Sequence, residues 1–424
     1  MTSAQGGDAF RSNDAMTTSR PPTKRYEQRK HAIVSSAVDV INRKGMRGMT
    51  LADVALRLNL VPTGVIYYFK NKEDLASACF LHGIERFNAL SALGEAGVSV
   101  RDRLALFLDA YFDYKARVIQ GEAEPIAVFN DVRALNSGPV NAAYLEMFRK
   151  LRGLLEGPET EGLSRAAFNA RAHLLISEVF WAVVWLRRHD VEDYGRVSKR
   201  VLAVTADGLA APGAAWAPAA LPDLIAEPTG GPETSSELFL RAATQLINEE
   251  GYLGASVEKI SARLNVTKGA FYHHNENKDE LVVACFERTF EVMKRAIRQA
   301  EAVSSSGLQT LTTVAAALTS YQMSGNAPLL RASALTSAPE SIQPQLLAKF
   351  DRITDRFASL ISDGVADGSV RPVDTNIAAQ MLAAMINAAA ELQDWAPDAT
   401  PEAAAELYVR PFFEGLLSRP RDQA

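Results

Sequence analysis

The sequence predicts an all-α fold made of two tandem units, each opening with a helix-turn-helix. Residues 50–75, TLADVALRLNLVPTGVIYYFKNKEDL, read as two short helices joined by a tight turn and followed by the start of a third. Residues 256–281, SVEKISARLNVTKGAFYHHNENKDEL, repeat the pattern. No stretch of the 424 residues alternates convincingly at period two, so no sheet is expected.

In the first copy, Thr50 suits a helix N-cap, with Asp53 three residues on in the sense of a capping box. Leu51, Val54, Ala55 and Leu58 then fall on one helical face. Asn59 stops that helix, and Pro62 fits the first position of the next, where its missing N–H costs nothing. The second helix presents Thr63, Gly64, Tyr67 and Tyr68. Asn71 and Lys72 open a third, with Glu73 and Asp74 in the first turn, where the helix dipole favours carboxylates.

The second copy keeps register without a gap: 251 − 45 and 278 − 72 both give 206. Ile41, Asn42, Gly45, Arg57, Leu58, Asn59, Asn71, Lys72 and Leu75 meet Ile247, Asn248, Gly251, Arg263, Leu264, Asn265, Asn277, Lys278 and Leu281. Ala78-Cys79-Phe80 recurs as Ala284-Cys285-Phe286, and the strings ADGL and FEGL align Gly208 with Gly415 at an offset of 207. The duplication therefore covers the whole unit.

Val266-Thr267-Lys268-Gly269-Ala270-Phe271-Tyr272-His273-His274, followed by Asn277-Lys278, closely resembles the recognition-helix signature of TetR-family transcriptional regulators. So does the preceding Gly251, Ser256-Val257, Ile260-Ser261 and Leu264. The first copy resembles it more loosely, through Gly45, Thr50, Val54-Ala55, Tyr67-Tyr68-Phe69 and Asn71-Lys72. It departs at Val61-Pro62-Thr63, where the family usually has Ser-Lys-Gly, and at Ile66, where Tyr is usual. The second copy departs at Asn275, where an aromatic is usual. The motif covers roughly 50 residues per copy; the rest of each half is similar to the family only in length and helical character. The resemblance implies a three-helix DNA-binding head, a larger helical effector and dimerisation domain, and two such units on an operator.

A net charge of −5 and a pI near 5.8 argue against coating nucleic acid by bulk charge. A local basic patch must do that work. Residues 24–48 carry Lys24, Arg25, Arg29, Lys30, Arg43, Lys44 and Arg47 against Glu27 and Asp39; residues 230–254 carry Arg241 against Glu233, Glu237, Glu249 and Glu250. The first head thus has a basic arm able to track a backbone or enter a minor groove. The second has the better recognition helix and an acidic approach. Cys79 and Cys285, the two cysteines, occupy equivalent positions and read as buried apolar residues at the junction of head and core. The N-terminus has no apolar signal region, and the strongest apolar run, 174–186, is broken by Ser177 and Glu178 and too short to span a bilayer. A cytoplasmic protein without membrane contact is expected.

The expected organisation is a disordered tail (1–22), a first head (23–75), a first effector domain (76–210), a Pro/Ala-rich linker (211–232), a second head (233–281) and a second effector domain (282–424). The first helix is expected at about 26–44, stopped by Gly45. Further helices are expected at about 100–120, 123–136, 139–155, 164–188, 191–209, 235–250 and 401–417. Trp216, Leu221 and Leu224 give the linker apolar side chains able to dock. The Ala-rich stretch 378–390 permits close helix approach, in a core or in a four-helix seam.

For the first head, Pro62, Thr63, Gly64, Tyr67 and Tyr68 are the expected DNA-facing residues, with Thr50, Lys72, Lys24, Arg25 and Arg29 on phosphates. For the second they are Thr267, Lys268, Gly269, Tyr272 and His273, with Ser256 and Lys278 on phosphates. Glycine lets a backbone approach the duplex, and Lys268 can donate to guanine. His273 and His274 point about 100° apart on a helix, with no further ligand at metal spacing, so no metal is expected, nor any cofactor. No phosphate-binding glycine loop, zinc-protease motif or nucleophile elbow is present, so no enzyme is expected. The family resemblance implies a pocket for a small, mostly apolar effector. Tyr111, Tyr144, His173 and Trp181 are its candidate lining, each an apolar body with a polar tip.

The combined expectation is a ligand-responsive repressor on double-stranded operator DNA. Its two halves pair within one chain as a pseudo-dimer, or the whole chain forms a homodimer; in the first case the last two helices of each half share one seam. The alternative is a protein–protein interaction module whose heads, one or both, no longer bind DNA.

Overall fold

In the computed structural model, the residues described are 23–129, 132, 135–221, 224, 235–267, 277–325, 328–331, 334–335, 338–339 and 341–418. The expected tail and much of the second recognition helix lie outside them. Among the described residues the fold is all-helical, with one isolated bridge, Ala210 to Val370.

The first head is α1 (Lys24–Gly48), α2 (Leu51–Arg57) and α3 (Pro62–Ile66). Ile33, Ala37, Val38, Val54 and Val65 bury its core. The body follows as α4 (Lys72–Gly94), α5 (Val100–Ile119), α6 (Gly138–Gly153), α7 (Arg165–Trp185) and α8 (Tyr194–Asp207). The second unit runs α9 (Ser235–Gly254), α10 (Val257–Arg263), α11 (Lys278–Val303), α12 (Gly307–Met323), α13 (Gln343–Ala366), α14 (Thr375–Ala388), α15 (Leu392–Trp395) and α16 (Arg410–Glu414). The expected cut at 75 falls inside α4, one continuous helix. It carries Cys79 from head into body.

The repeat is structural down to single atoms. Gly45 and Gly251 break the first helix of each unit with φ of 71° and 73°, and Asn59 and Asn265 turn between helices at 52° and 55°. Asn71 and Asn277 cap α4 and α11. Each cysteine thiol donates to a first-helix carbonyl, Cys79 to Val34 and Cys285 to Leu240. Both are free and buried, and burial pushes each thiol up to about 12, which leaves them unreactive.

One expected helix is absent. The described part of 123–136 is extended with isolated 3-10 turns at Phe129 and Leu135, not α-helical, and 130, 131, 133 and 134 lie outside the described residues. Pro125 removes a donor there, and Asn42 holds the segment open: its Nδ2 donates to Ile126 O at 2.9 Å and its Oδ1 accepts from Val128 N at 2.8 Å. Asn248 clamps Leu329 O and Arg331 N in the second unit in the same way. The two closing helices also differ from expectation. The stretch 191–209 begins with a 3-10 turn before α8, and 401–417 contains a π-helical turn, Ala405–Val409, before α16.

α7 and α8 pack against α14 and the terminal segment, so the ends of both units share one seam. Asn169 Nδ2 donates to Trp395 O at 2.8 Å, and Arg171 Nη1 to Ser418 O at 2.8 Å. Trp181 meets Phe350 edge-on, ring centroids 5.6 Å apart. Gly208 and Gly415 lie back to back at φ 67° and 91°; a Cβ on either would sit within 2.4 Å of the other's backbone segment. The linker docks on the second unit: Trp216 Nε1 donates to Glu406 at 2.6 Å, and Ala219 N to Thr313 at 2.9 Å.

Glu178 sits in α7, 4 % exposed, and neither carboxyl oxygen has a hydrogen-bond partner among the described residues. Burial raises its pKa well above the ordinary carboxylate value. A raised folded-state pKa means the unfolded chain releases a proton that the folded chain keeps. Stability therefore falls as pH rises above the unfolded value, by up to about 1.4 kcal/mol per pH unit. Glu178→Gln should remove that fall and be the more stable protein at pH 8, with little difference at pH 4. Urea titrations at both pH values measure it; parallel curves for the two proteins would exclude the assignment.

Candidate nucleic-acid interface

Thr23 caps α1 by accepting from Tyr26 N at 3.3 Å, which starts the helix where the basic arm begins. Lys24, Arg25 and Arg29 are exposed on its first turns. Tyr26 turns toward the end of α3, with ring centroids 4.8 Å from Tyr68 and 6.1 Å from Tyr67. Lys30 lies over the Phe69 ring at 5.9 Å. This aromatic cluster fixes the arm beside the recognition helix.

Thr50 caps α2, accepting from Asp53 N at 3.0 Å and donating to Asp53 Oδ2 at 2.8 Å. A hydrogen bond from Lys44 and one from Thr50 hold the Asp53 carboxyl below its usual range. Pro62 occupies the first turn of α3, as expected from its missing N–H. Val65 points into the core, which turns Pro62, Thr63, Ile66 and Tyr67 outward; Gly64 and Tyr68 are half-buried. The same end of the head exposes Leu56 (77 %), Val61 (65 %), Ile66 (47 %) and Tyr67 (73 %).

Two of the lysines expected on phosphates are engaged within the heads. Lys72 Nζ donates to Arg47 O at 2.8 Å. Lys278 lies 4.2 Å over the Tyr252 ring, and burial lowers its pKa. Ser256 caps α10 by accepting from Lys259 N, and Thr267 is exposed. Lys268, Gly269, Tyr272 and His273 lie outside the described residues.

The acidic approach of the second head is neutralised locally. Glu249 pairs with Arg263 at 2.6 Å, and Glu250 pairs with Lys259 and, across the heads, with Arg47 at 2.7 Å. Arg47, counted in sequence with the basic arm, therefore ties the two heads together. Its partner lies 203 residues away, beyond reach of any local pattern.

The four residues expected to line an effector pocket fill space instead. Tyr111 donates to Val179 O at 3.0 Å inside an aromatic cluster, edge-to-face with Phe87 and Phe112 and tilted against Phe107. Tyr144 and His173 lie against Trp395 in the seam, His173 Nε2 bonding Ala388 O at 3.0 Å. Trp181 packs on Phe350. An apolar cavity of about 30 Å³ lies in the second body instead, among Phe286, Phe290, Met293, Leu335, Phe350 and Ile386. Among the described residues no group of three His, Cys, Asp or Glu side chains could hold a metal.

Two tandem heads of this geometry have counterparts. The family described as bacterial regulatory proteins, tetR family, matches residues 33–79 and again 239–285. The chain carries the tetR-family DNA-binding head twice, in tandem. The two tetR-family matches fall on α1 to α4 and on their repeat, α9 to α11. The Transposon Tn10 TetC protein of Escherichia coli is 39 % identical over 56 residues, 13 % of this chain and 28 % of that protein. The HTH-type transcriptional repressor DhaR of Mycobacterium sp. (strain GP1) is 28 % identical over 136 residues, 31 % of this chain and 68 % of DhaR. The crystal structure of the TetR-family regulator PfmR from Thermus thermophilus superposes with a TM-score of 0.35 at 22 % identity, over 42 % of this chain and 98 % of PfmR. No described helix is long and apolar enough to cross a membrane.

Proposed function

We propose that the chain is a sequence-specific, ligand-responsive DNA-binding repressor in which the two halves act as an intramolecular pseudo-dimer. The observation that carries this reading is the pair of tetR-family heads on one chain whose bodies share one seam. A covalent link keeps the effective concentration for that pairing high. Lys24, Arg25, Arg29 and Thr50 face phosphates, and Thr63 and Tyr67 face the groove, while Lys268 and His273 face it from the second head.

The effector is small and mostly apolar, and its place is the second body. The void there holds about one water-sized volume, so a ligand enters by displacing Phe350 or Met293. Phe350 also touches Trp181 of the first half, so displacement bears on the seam and through it on the heads. Coupling of this kind is reciprocal: DNA weakens the inducer by the factor by which the inducer weakens DNA.

The test is the mass of the protein free and on DNA. Light scattering should give about 46 kDa at low micromolar concentration, and one chain should bind each duplex recovered from a random pool. The recovered half-sites should be unlike, because the heads differ at Thr63 against Gly269 and Tyr67 against His273. A stable dimer on a perfect palindrome would exclude the pseudo-dimer. Failure to recover any duplex would favour an interaction module.

A further inference from the structure

We infer that the first head reads the C5-methyl groups of thymines in its half-site, through Val61, the Thr63 methyl and Ile66; this rests on the DNA-binding reading above. Its recognition segment, Leu60 to Phe69, is LVPTGVIYYF. It contains no Arg, Lys, Asn, Gln, Asp or Glu, so it has none of the side chains that read guanine, adenine or cytosine edges bidentately. Its polar groups are three hydroxyls, and two of them, on Tyr67 and Tyr68, belong to rings packed with Tyr26.

What the segment does present is apolar and exposed. Val61 is 65 % and Ile66 47 % exposed, beside an exposed Thr63. Val65, with 0 % exposure, fills the core from the same short helix, so the outward side chains are not needed for folding. Of the groups a major groove displays, the thymine methyl is the apolar one. The occupant is duplex DNA because charge surrounds the patch: Lys24, Arg25, Arg29 and Lys70 are exposed and make no ion pair with the described residues. Tyr26 pins the cationic turn of α1 to the end of α3, so phosphate contacts and apolar contacts are presented together.

The second copy has the donor-bearing version of the same segment. The offset of 206 sets Lys268 against Pro62 and Tyr272 against Ile66. Methyl dependence is therefore assigned to one half-site only.

The experiment uses the full chain and a duplex recovered from the random pool, synthesised with deoxyuridine for thymidine in one half-site or the other. Substitution in the first head's half-site should weaken binding about fourfold per contacted methyl, the free energy of burying one such group. Substitution in the other should not. Ile66→Ala should bind the thymidine and deoxyuridine duplexes alike at the contacted position, while Leu56→Ala, on α2, should keep the discrimination. Equal binding of both duplexes by the unaltered chain overturns the inference and leaves DNA binding intact, as does discrimination that survives both Ile66→Ala and Val61→Ala. A patch that docks another protein gives that same indifference. No retained duplex at all overturns the inference together with the DNA reading, and is told apart by the absence of any shift.

Discussion

Replacing Trp395 by alanine should cost about 3–5 kcal/mol of stability. Trp395 is 6 % exposed at the end of α15 and stacks on Phe148 of the first half, ring centroids 3.8 Å apart at 21°. Tyr144 and His173 flank it at 5.8 and 6.4 Å, and its carbonyl accepts from Asn169. Its neighbours belong to α6 and α7, which are held from behind by their own cores, so the hole left by truncation cannot close. The loss is a large share of the roughly 5–15 kcal/mol that stabilises a typical domain. The ion pairs along the same seam are a poor substitute. Arg187 and Asp351 are 43 % and 28 % exposed at 3.3 Å, and such pairs contribute at most about 1 kcal/mol. Urea denaturation of Trp395→Ala and Arg187→Ala, read as midpoints at equal slope, ranks the two. Equal small shifts would mean that the halves are held by charge and not by packing.

The contrast between packing and charge also explains what could be read from the sequence. Local signals were legible: the caps at Thr50, Asn71 and Asn277, Pro62 at a helix start, and the 206-residue register all lie within a few residues of what they control. The extended segment after α5 was not, because Asn42 decides it from more than eighty residues away. Its apolar residues suit a helix, but Pro125 and the Asn42 clamp prevail over periodicity. Asn248 aligned with Asn42 in the repeat, and that pairing was the one available sign that both asparagines do something specific. Arg47 likewise read as a DNA-facing cation by composition; only the approach of the heads reveals Glu250 as its partner. The aromatic side chains of the first body looked like pocket lining because each has a polar tip. Two of those tips find partners across helices, Tyr111 at Val179 O and His173 at Ala388 O, while Trp181 buries its Nε1 without a partner among the described residues; the rings then fill the space a ligand would need.

Removing the basic arm should weaken DNA binding more than any change at the recognition helix, and should do so for every sequence. Lys24, Arg25 and Arg29 are exposed on the turns that Tyr26 anchors beside α3, and none makes an ion pair with the described residues. If each neutralises one phosphate, replacing all three by alanine makes the slope of log affinity against log salt shallower by about 2.7, and costs about 10²-fold at 0.2 M salt. The lowered affinity should be nearly the same on specific and random duplexes, because phosphates carry no sequence information. Two controls separate this from a general loss of positive charge. Arg47→Ala removes the same unit of charge from the same helix, but Arg47 is already paired with Glu250, so the slope should stay put. Ile66→Ala removes no charge, so it too should leave the slope unchanged while altering preference at one base pair. Fluorescence anisotropy across about 50–300 mM salt gives all the slopes in one series. An arm-less protein with an unchanged slope would place the phosphate contacts elsewhere, on Arg43, Lys44 or Lys70.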